Sequence, residues 1–195
     1  MRKKSHISLA NHMLAEFRED SLLAHSFMFR FGSLLPDLVP SFITKKHAFD
    51  TTFDILERKL YKVINEYHGE RGLSMSLCKD LGVITHYIAD YFTLPHNHKF
   101  NGSLKDHVVY EEFLKYAMRR YVRLQNVANQ PLIRMRMSSV DDICKFIKNC
   151  HNEYIKMTMD GHEIDCRHSV EVCRQVLEAI FTLLHQQQYV YAHVA

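Results

Sequence analysis

Apolar side chains recur at intervals of three and four residues along almost the whole chain, and this spacing constrains the fold more than any other feature. It is the period of an α-helix, in which residues at i, i+3 and i+4 share one face. The 195 residues include only six Gly and four Pro, which is too few to separate many short strands. No strand-like alternation competes with the helical pattern. We therefore predict an all-α fold: a single-domain helical bundle of about seven helices spanning residues 1–195.

The helix boundaries follow from the apolar period and from the residues that interrupt it. We expect Gly32 to end the second helix, and Pro36 and Pro40 to prevent a continuous helix in the segment that follows. Ser103 and Asp106 have the spacing of a capping box at the start of the fifth helix. The predicted helices cover residues 5–17, 22–31, 47–67, 73–92, 103–124, 138–157 and 163–192.

Charge and cysteine usage bound the cellular context. A formal net charge of +3 is too small to argue for nucleic-acid binding by itself. The five cysteines are odd in number and show no C-x-x-C spacing, so we interpret them as free core thiols in a reducing compartment. The basic N-terminus is not followed by an uninterrupted apolar stretch, and no segment approaches the length needed to span a bilayer. We expect a cytoplasmic protein.

Residues 86–112, HYIADYFTLPHNHKFNGSLKDHVVYEE, contain four histidines interleaved with carboxylates. His86 and Asp90 lie four residues apart, as do His107 and Glu111, so each pair leaves one face of its helix with Cβ atoms about 5–6 Å apart. A single pair of this kind is usually an exposed ion pair. Two pairs joined by a loop histidine favour metal binding, because zinc accepts both imidazole and carboxylate ligands.

This segment resembles the zinc-dependent phospholipase C family, which shares its all-helical fold and metal pattern with single-strand-specific nucleases. The family pattern is His-x-x-x-Asp, a histidine six residues later, and then His-x-x-x-Glu. Two upstream stretches extend the resemblance: SHISLAN resembles the family's Ser-His-x-x-x-x-Asn, and GSLLPD resembles its Gly-Ser-x-x-Pro-Asp loop. Together the matches cover roughly residues 4–112, and His98 is the spare histidine of the pattern.

The resemblance implies a ligand set for two Zn²⁺ ions, or three if His6 also binds one. One ion would be held by Asp37, His47, His86 and Asp90, and a second by His96, His107 and Glu111. The family's third zinc uses a histidine, here His6, shares the Asp90 carboxylate, and takes the amine and carbonyl of an N-terminal tryptophan. The chain contains no Trp. From the charges of Arg2, Lys3 and Lys4 we expect the amine of Met1 to stay off the metal.

The implied activity is that of a zinc-dependent hydrolase of phosphate esters, a phospholipase C-like phosphodiesterase. Asp37 would act as a ligand, or would orient or deprotonate the attacking water, and the sequence leaves these roles open. The implied partner is a phosphate ester such as a phospholipid, with a nuclease substrate as the runner-up. The alternative from another class is a non-catalytic helical protein whose zinc cluster is structural or binds a phosphorylated ligand. The sequence indicates neither an oligomeric state nor a role for residues 125–195.

Overall fold

The computed structural model describes residues 1–38, 48–124, 135–157 and 161–194. Within these ranges the chain is all-α and contains no strand, as predicted. The helices are α1 Lys3–Glu16, α2 Asp20–Ala24, α3 Ser26–Leu34, α4 Phe49–Asn65, α5 Met75–Tyr91, α6 Leu104–Leu124, α7 Val140–Lys156 and α8 His162–Val194. Short 3₁₀ turns cover Leu35–Asp37, Gly69–Arg71 and Leu94–His96.

Helix α5 lies at the centre of the bundle and is buried on nearly every side. From Asp80 to Tyr91 every residue is buried, and α1, α3, α4 and α8 all pack against it. A helix that is apolar all round belongs in a core. Its few polar side chains therefore need partners. The carboxylate of Asp80 pairs with two lysines of α4: Oδ1 lies 2.5 Å from Nζ of Lys59, and Oδ2 lies 2.8 Å from Nζ of Lys62. The partners of Asp90, on the same helix, include the Met1 amine and His86.

The predicted C-terminal boundary of the second helix is wrong, because α3 continues through Gly32 to Leu34. A Cβ atom on Gly32 would lie 2.0 Å from the carbonyl oxygen of Lys79, and one on Gly82 would lie 2.1 Å from that of Phe29. These two glycines allow the backbones of α3 and α5 to approach each other closely. The same segment is also divided at His25, so two helices replace the predicted one and the count within the described residues becomes eight.

Other local predictions are confirmed. The carboxylate of Asp106 accepts hydrogen bonds from the backbone nitrogen and the hydroxyl of Ser103, at 2.8 and 2.7 Å, which caps the start of α6. Ser139 caps α7 through the backbone nitrogen of Asp142. All five cysteines are buried and free. No helix of the described part of the chain combines the length and the apolar character required to traverse a bilayer.

Candidate metal centre

The first cluster of potential ligands lies in the protein interior and joins α1 to α5. We call His6, His86 and Asp90 the inner group; all three are buried, and their potential ligand atoms lie within 4.8 Å of one another. The Nε2 atom of His86 is 3.2 Å from Oδ2 of Asp90, and Nε2 of His6 is 3.3 Å from Oδ1. The two imidazole rings stack with centroids 3.9 Å apart.

The environment of His6 fits a bound cation. Both ring nitrogens are buried, and within the part of the chain that the structure describes neither makes a hydrogen bond of good geometry, although Nε2 lies 3.3 Å from Oδ1 of Asp90. Buried polar atoms are almost always paired, so an unpaired imidazole aimed at a carboxylate is the arrangement expected of a ligand. Burial lowers the pKa of His6 to about 4, with a further contribution from His86. The ring is therefore neutral at pH 7, which is the form that binds metals.

The second cluster lies nearer the surface, between α6 and the turn that precedes it. We call His96, His107 and Glu111 the outer group; all three are half-buried. Oε1 of Glu111 is 3.2 Å from Nε2 of His96 and 3.1 Å from Nε2 of His107. The capped start of α6 holds His107 one turn from Glu111, and the 3₁₀ turn brings His96 to the opposite side of the carboxylate. One oxygen thus faces two imidazoles.

Asp90 connects the two groups. Its Oδ1 faces His6, whereas its Oδ2 faces both His86 and, at 3.7 Å, Nδ1 of His96. Burial by itself would raise the pKa of Asp90, but positive charge at His96, at the Met1 amine and at His86 holds that pKa well below its usual range. Asp90 therefore presents an ionised carboxylate to both clusters, as a bridging ligand would.

The amino nitrogen of Met1 also lies within the site, although whether it binds a metal stays a prediction. It is 2.5 Å from Oδ1 of Asp90, 3.0 Å from Nε2 of His96 and 3.2 Å from Oε1 of Glu111. The expected repulsion from neighbouring basic residues is reduced because Arg2 pairs with Glu112 at 2.6 Å. The nitrogen occupies the space between the inner and outer groups, where a cation would be attracted by both carboxylates.

A cleft of about 920 Å³ opens onto the outer group. The ligand candidates on its wall are Asp37, His96 and His107. Asp37 stands at the end of the turn after α3, with Oδ1 3.8 Å from Nε2 of His86. The remaining wall is mixed, with Phe49 and Phe100 as aromatic surfaces and Lys3 as a cation. The arrangement can hold an anion against the ligand clusters while leaving room for an organic substituent.

The structure brings seven of the eight predicted ligands to one region. His6, His86 and Asp90 form the inner group, His96, His107 and Glu111 form the outer group, and Asp37 lies beside the inner one. His47 falls outside the described residues. His98 is exposed on the cleft wall and belongs to neither group, which agrees with its interpretation as the spare histidine.

Comparison with known proteins points to the same residues. The chain matches the family described as zinc-dependent phospholipase C over residues 5–161. It belongs to that family. No curated protein and no solved structure gave a match. The match includes both ligand groups and Asp37, so the family's zinc dependence and the two clusters of candidate ligands are consistent with each other.

Further residues, which the sequence did not single out, hold the candidate ligands in place. The carboxylate of Asp165 on α8 accepts three hydrogen bonds. The donors are the backbone nitrogen of Leu94 at 3.0 Å, the hydroxyl of Tyr110 at 2.9 Å and the hydroxyl of Tyr154 at 2.7 Å. Two of these contacts immobilise neighbours of candidate ligands, because Leu94 begins the turn to His96 and Tyr110 precedes Glu111. An isolated Asp at the start of a helix carries no such signal in the sequence.

A second support lies on the other side of the same turn. The side chain of Asn97 donates to the carbonyl oxygens of Tyr91 and Thr93, at 3.0 and 2.9 Å. Its own oxygen is 2.9 Å from Nε2 of His151, whose ring stacks on Phe49. His151, which received no role from the sequence, thus helps to fix the backbone that positions His96.

Proposed function

We propose that this protein is a zinc-dependent hydrolase of phosphate esters, acting as a phospholipase C-like phosphodiesterase. The observation that carries the proposal is the position of Asp90, whose two carboxylate oxygens face two separate clusters of histidine ligands beside an open cleft. Clustered cations beside a cleft suit an anionic phosphate better than a neutral substrate. Membership of the zinc-dependent phospholipase C family supports the choice of zinc.

The residues fit zinc in kind and in protonation state. The donors are imidazoles and carboxylates, the inner imidazole of His6 is neutral, and Asp90 is ionised. Bound zinc would supply positive charge to phosphate oxygens and would lower the pKa of a water molecule toward about 7. We assign His6, His86 and Asp90 to the inner site, which combines ligands that the family resemblance divided between the first and the third ion, and His96, His107 and Glu111 to the outer site. His47 stays a predicted inner ligand on the strength of the family resemblance.

Asp37 is the proposed catalytic carboxylate. It is the ligand candidate that lies beside the inner group and also lines the cleft, so a substrate in the cleft meets it directly. From there its carboxylate can orient or deprotonate a water molecule that approaches phosphorus, or it can complete the inner ligand set. An Asp37→Asn variant separates these roles: loss of turnover with retained zinc indicates the first, and loss of zinc indicates the second.

The cleft favours a phosphodiester with an organic headgroup. Its volume of about 920 Å³ is at the upper end of the range of small-molecule pockets, about 300–1,000 Å³. Phe49 and Phe100 offer aromatic faces, and Phe49 is held in position by stacking on His151. Lys3 lines the cleft, where it can attract the negative charge of the phosphate. We propose that the phosphate binds toward His96 and His107 and that the headgroup contacts the aromatic wall.

The alternative is a zinc cluster that only stabilises the fold. Structural zinc sites are closed by four protein ligands, whereas catalytic sites leave a position open. Among the described residues the outer group supplies three side-chain donors, and two of them, His96 and His107, line the cleft wall. This arrangement favours catalysis, and the alternative predicts zinc binding without turnover.

The test measures zinc content and phosphodiester hydrolysis in two neighbouring variants. The protein is purified without chelator, analysed by mass spectrometry for metals and assayed with bis(p-nitrophenyl) phosphate. Glu111→Gln should reduce both zinc content and turnover, because Oε1 of Glu111 faces the outer group. Glu112→Gln is the matched control, since Glu112 pairs with Arg2 at the surface and should leave both unchanged. A wild-type protein that lacks bound metal would refute the proposal.

A further inference from the structure

Helix α6 has two chemically different faces. Its inner face carries His107 and Glu111 together with the buried side chains of Leu114 and Met118. Its outer face exposes large apolar side chains where a surface helix normally presents polar ones. The exposed fractions are 45% for Val109, 59% for Phe113 and 57% for Tyr116, and these residues follow one another at the i, i+4, i+7 spacing of a single helix face.

Basic side chains surround this apolar stripe. Exposed basic residues occur at both ends of α6 and on the adjoining start of α1; they are Lys3, Lys4, Lys105, Arg119, Arg120 and Arg123. The two carboxylates of α6 outside the metal centre are already engaged, because Asp106 accepts hydrogen bonds from Ser103 and Glu112 pairs with Arg2 and Lys115. The surface is therefore both apolar and cationic. We call it the α6 outer face.

A groove of about 560 Å³ lies along this surface between α1 and α6. Lys3, Lys4 and the polar side chain of Asn11 line it from α1, and Arg119 and Arg123 line it from α6. Four cations around one depression suit a phosphate or carboxylate group that stands beside an apolar layer.

We propose that the α6 outer face docks on an anionic lipid bilayer. Phe113, Tyr116 and Val109 would enter the interface between headgroups and acyl chains, while the basic residues would contact anionic headgroups. An amphipathic helix with aromatic and aliphatic residues framed by Lys and Arg is suited to lie in that interface. Three exposed apolar side chains in a row distinguish the surface from a nucleic-acid groove, which needs the cations but not the aliphatic stripe.

The position of the surface links docking to the cleft. Leu104, which is 81% exposed, lines the cleft that opens onto His107, and it begins the same helix as the outer face. Lys3 lines both the cleft and the basic groove. A bilayer held on this face would present headgroups beside the cleft mouth. This link to turnover rests on the proposed function, whereas the binding of lipid can be measured without it.

The experiment is vesicle co-sedimentation of the 195-residue chain. Vesicles of phosphatidylcholine with about one third phosphatidylserine are compared with pure phosphatidylcholine vesicles, each at low and high salt. Binding should require phosphatidylserine and weaken with salt, because Coulomb attraction is screened. Replacing Arg119 and Arg123 by Gln should lower the partition coefficient by about 30-fold, at about 1 kcal/mol for each basic residue. Replacing Phe113 and Tyr116 by Gln should lower it by about tenfold or more.

Two controls separate docking from folding and from catalysis. Lys145→Gln with Lys156→Gln removes the same charge from α7 and should leave partitioning unchanged, and all variants should keep the wild-type hydrolysis of bis(p-nitrophenyl) phosphate. Inactive protein that still binds vesicles would refute the proposed function but not the docking. The inference is overturned if the wild type ignores anionic vesicles, or if the α6 variants bind them as the wild type does. It is also overturned if a single-stranded oligonucleotide, but not lipid, is bound through Arg119 and Arg123.

Discussion

The carbonyl oxygen of Ser33 on α3 lies 2.9 Å from Nδ1 of His86 on α5. A hydrogen bond from Nδ1–H to this carbonyl orients the ring and leaves Nε2 facing Asp90, at 3.2 Å from Oδ2. Such partners of metal-binding histidines fix both tautomer and ring orientation. The carbonyl reaches His86 because the neighbouring Gly32 and, on α5, Gly82 let the two helices approach each other. The packing of two glycines thus sets the orientation of the candidate ligand His86.

Gly82→Ala tests this relationship. A Cβ atom there would lie 2.1 Å from the carbonyl oxygen of Phe29, a backbone atom that cannot move by itself. We expect a loss of about 1–3 kcal/mol in the free energy of unfolding, together with lower zinc content, measured by urea denaturation and metal analysis. An ordinary Gly→Ala change inside a helix stabilises by about 1 kcal/mol. A stabilised variant would therefore show that the helix crossing tolerates the methyl group.

Asp90→Asn should affect both groups of ligands at once. The substitution keeps the shape of the side chain but removes the charge that faces His6, His86 and His96. We expect zinc content to fall at both sites and turnover to fall by about 100-fold or more, since the loss of a single tuning contact can cost about 10–100-fold. Asp80→Asn is the matched change at a buried carboxylate of the same helix that is paired with lysines. It should reduce stability while leaving the zinc content of the folded protein unchanged.

Deletion of residues 1–4 should disturb the metal centre, which reverses the expectation from the sequence. The deletion removes the Met1 nitrogen, which lies 2.5 Å from Asp90 and 3.2 Å from Glu111 and which can donate to a metal once it has lost its proton. We expect reduced zinc content and turnover in a chain that remains folded by circular dichroism. Arg2→Gln is the control, because it removes the pair with Glu112 but keeps Met1. Equal zinc content in the deleted and intact chains would show that the Met1 nitrogen is dispensable.

Asp165 should make stability depend on pH. Burial raises the pKa of this carboxyl to about 6, so between its unfolded value of about 3.9 and pH 6 the folded state binds more protons than the unfolded state. The contribution of Asp165 to stability is thus present at low pH and falls as the pH rises through that window, by about 3 kcal/mol in total. Subtracting the unfolding free energies of Asp165→Asn from those of the wild type, measured from pH 4 to 7, should isolate this fall. A pH-independent difference would contradict it.

The helices and the ligand pattern were accessible from sequence because both depend on short spacings. A four-residue interval places His86 with Asp90, and His107 with Glu111, on one helix face whatever the surroundings. The capping box of Ser103 and Asp106 is equally local and is confirmed. The family resemblance is confirmed as well, by a match that extends beyond the motifs to residue 161.

Other features depend on contacts between residues far apart in the chain, and the local pattern misread them. Gly32 was expected to end a helix, which is a common role for glycine. It lies inside α3 instead, where its lack of a side chain lets the backbone of Lys79 on α5 come close. Asp165 reaches Leu94 across 71 positions, and His151 reaches Asn97 across 54. Nothing in the spacing of these residues shows that they support the turn carrying His96.

The sequence by itself determined the fold class, the pairing of histidine with carboxylate on two helices, and the chemistry that such ligands support, because helical periodicity and donor type are local properties. Only the tertiary structure decided how those pairs meet. It placed Asp90 between the inner and outer groups, brought the Met1 nitrogen among them, and turned the apolar stripe of α6 toward solvent. These outcomes depend on how closely the helices pack and on which faces they bury, and both are set by the whole core at once.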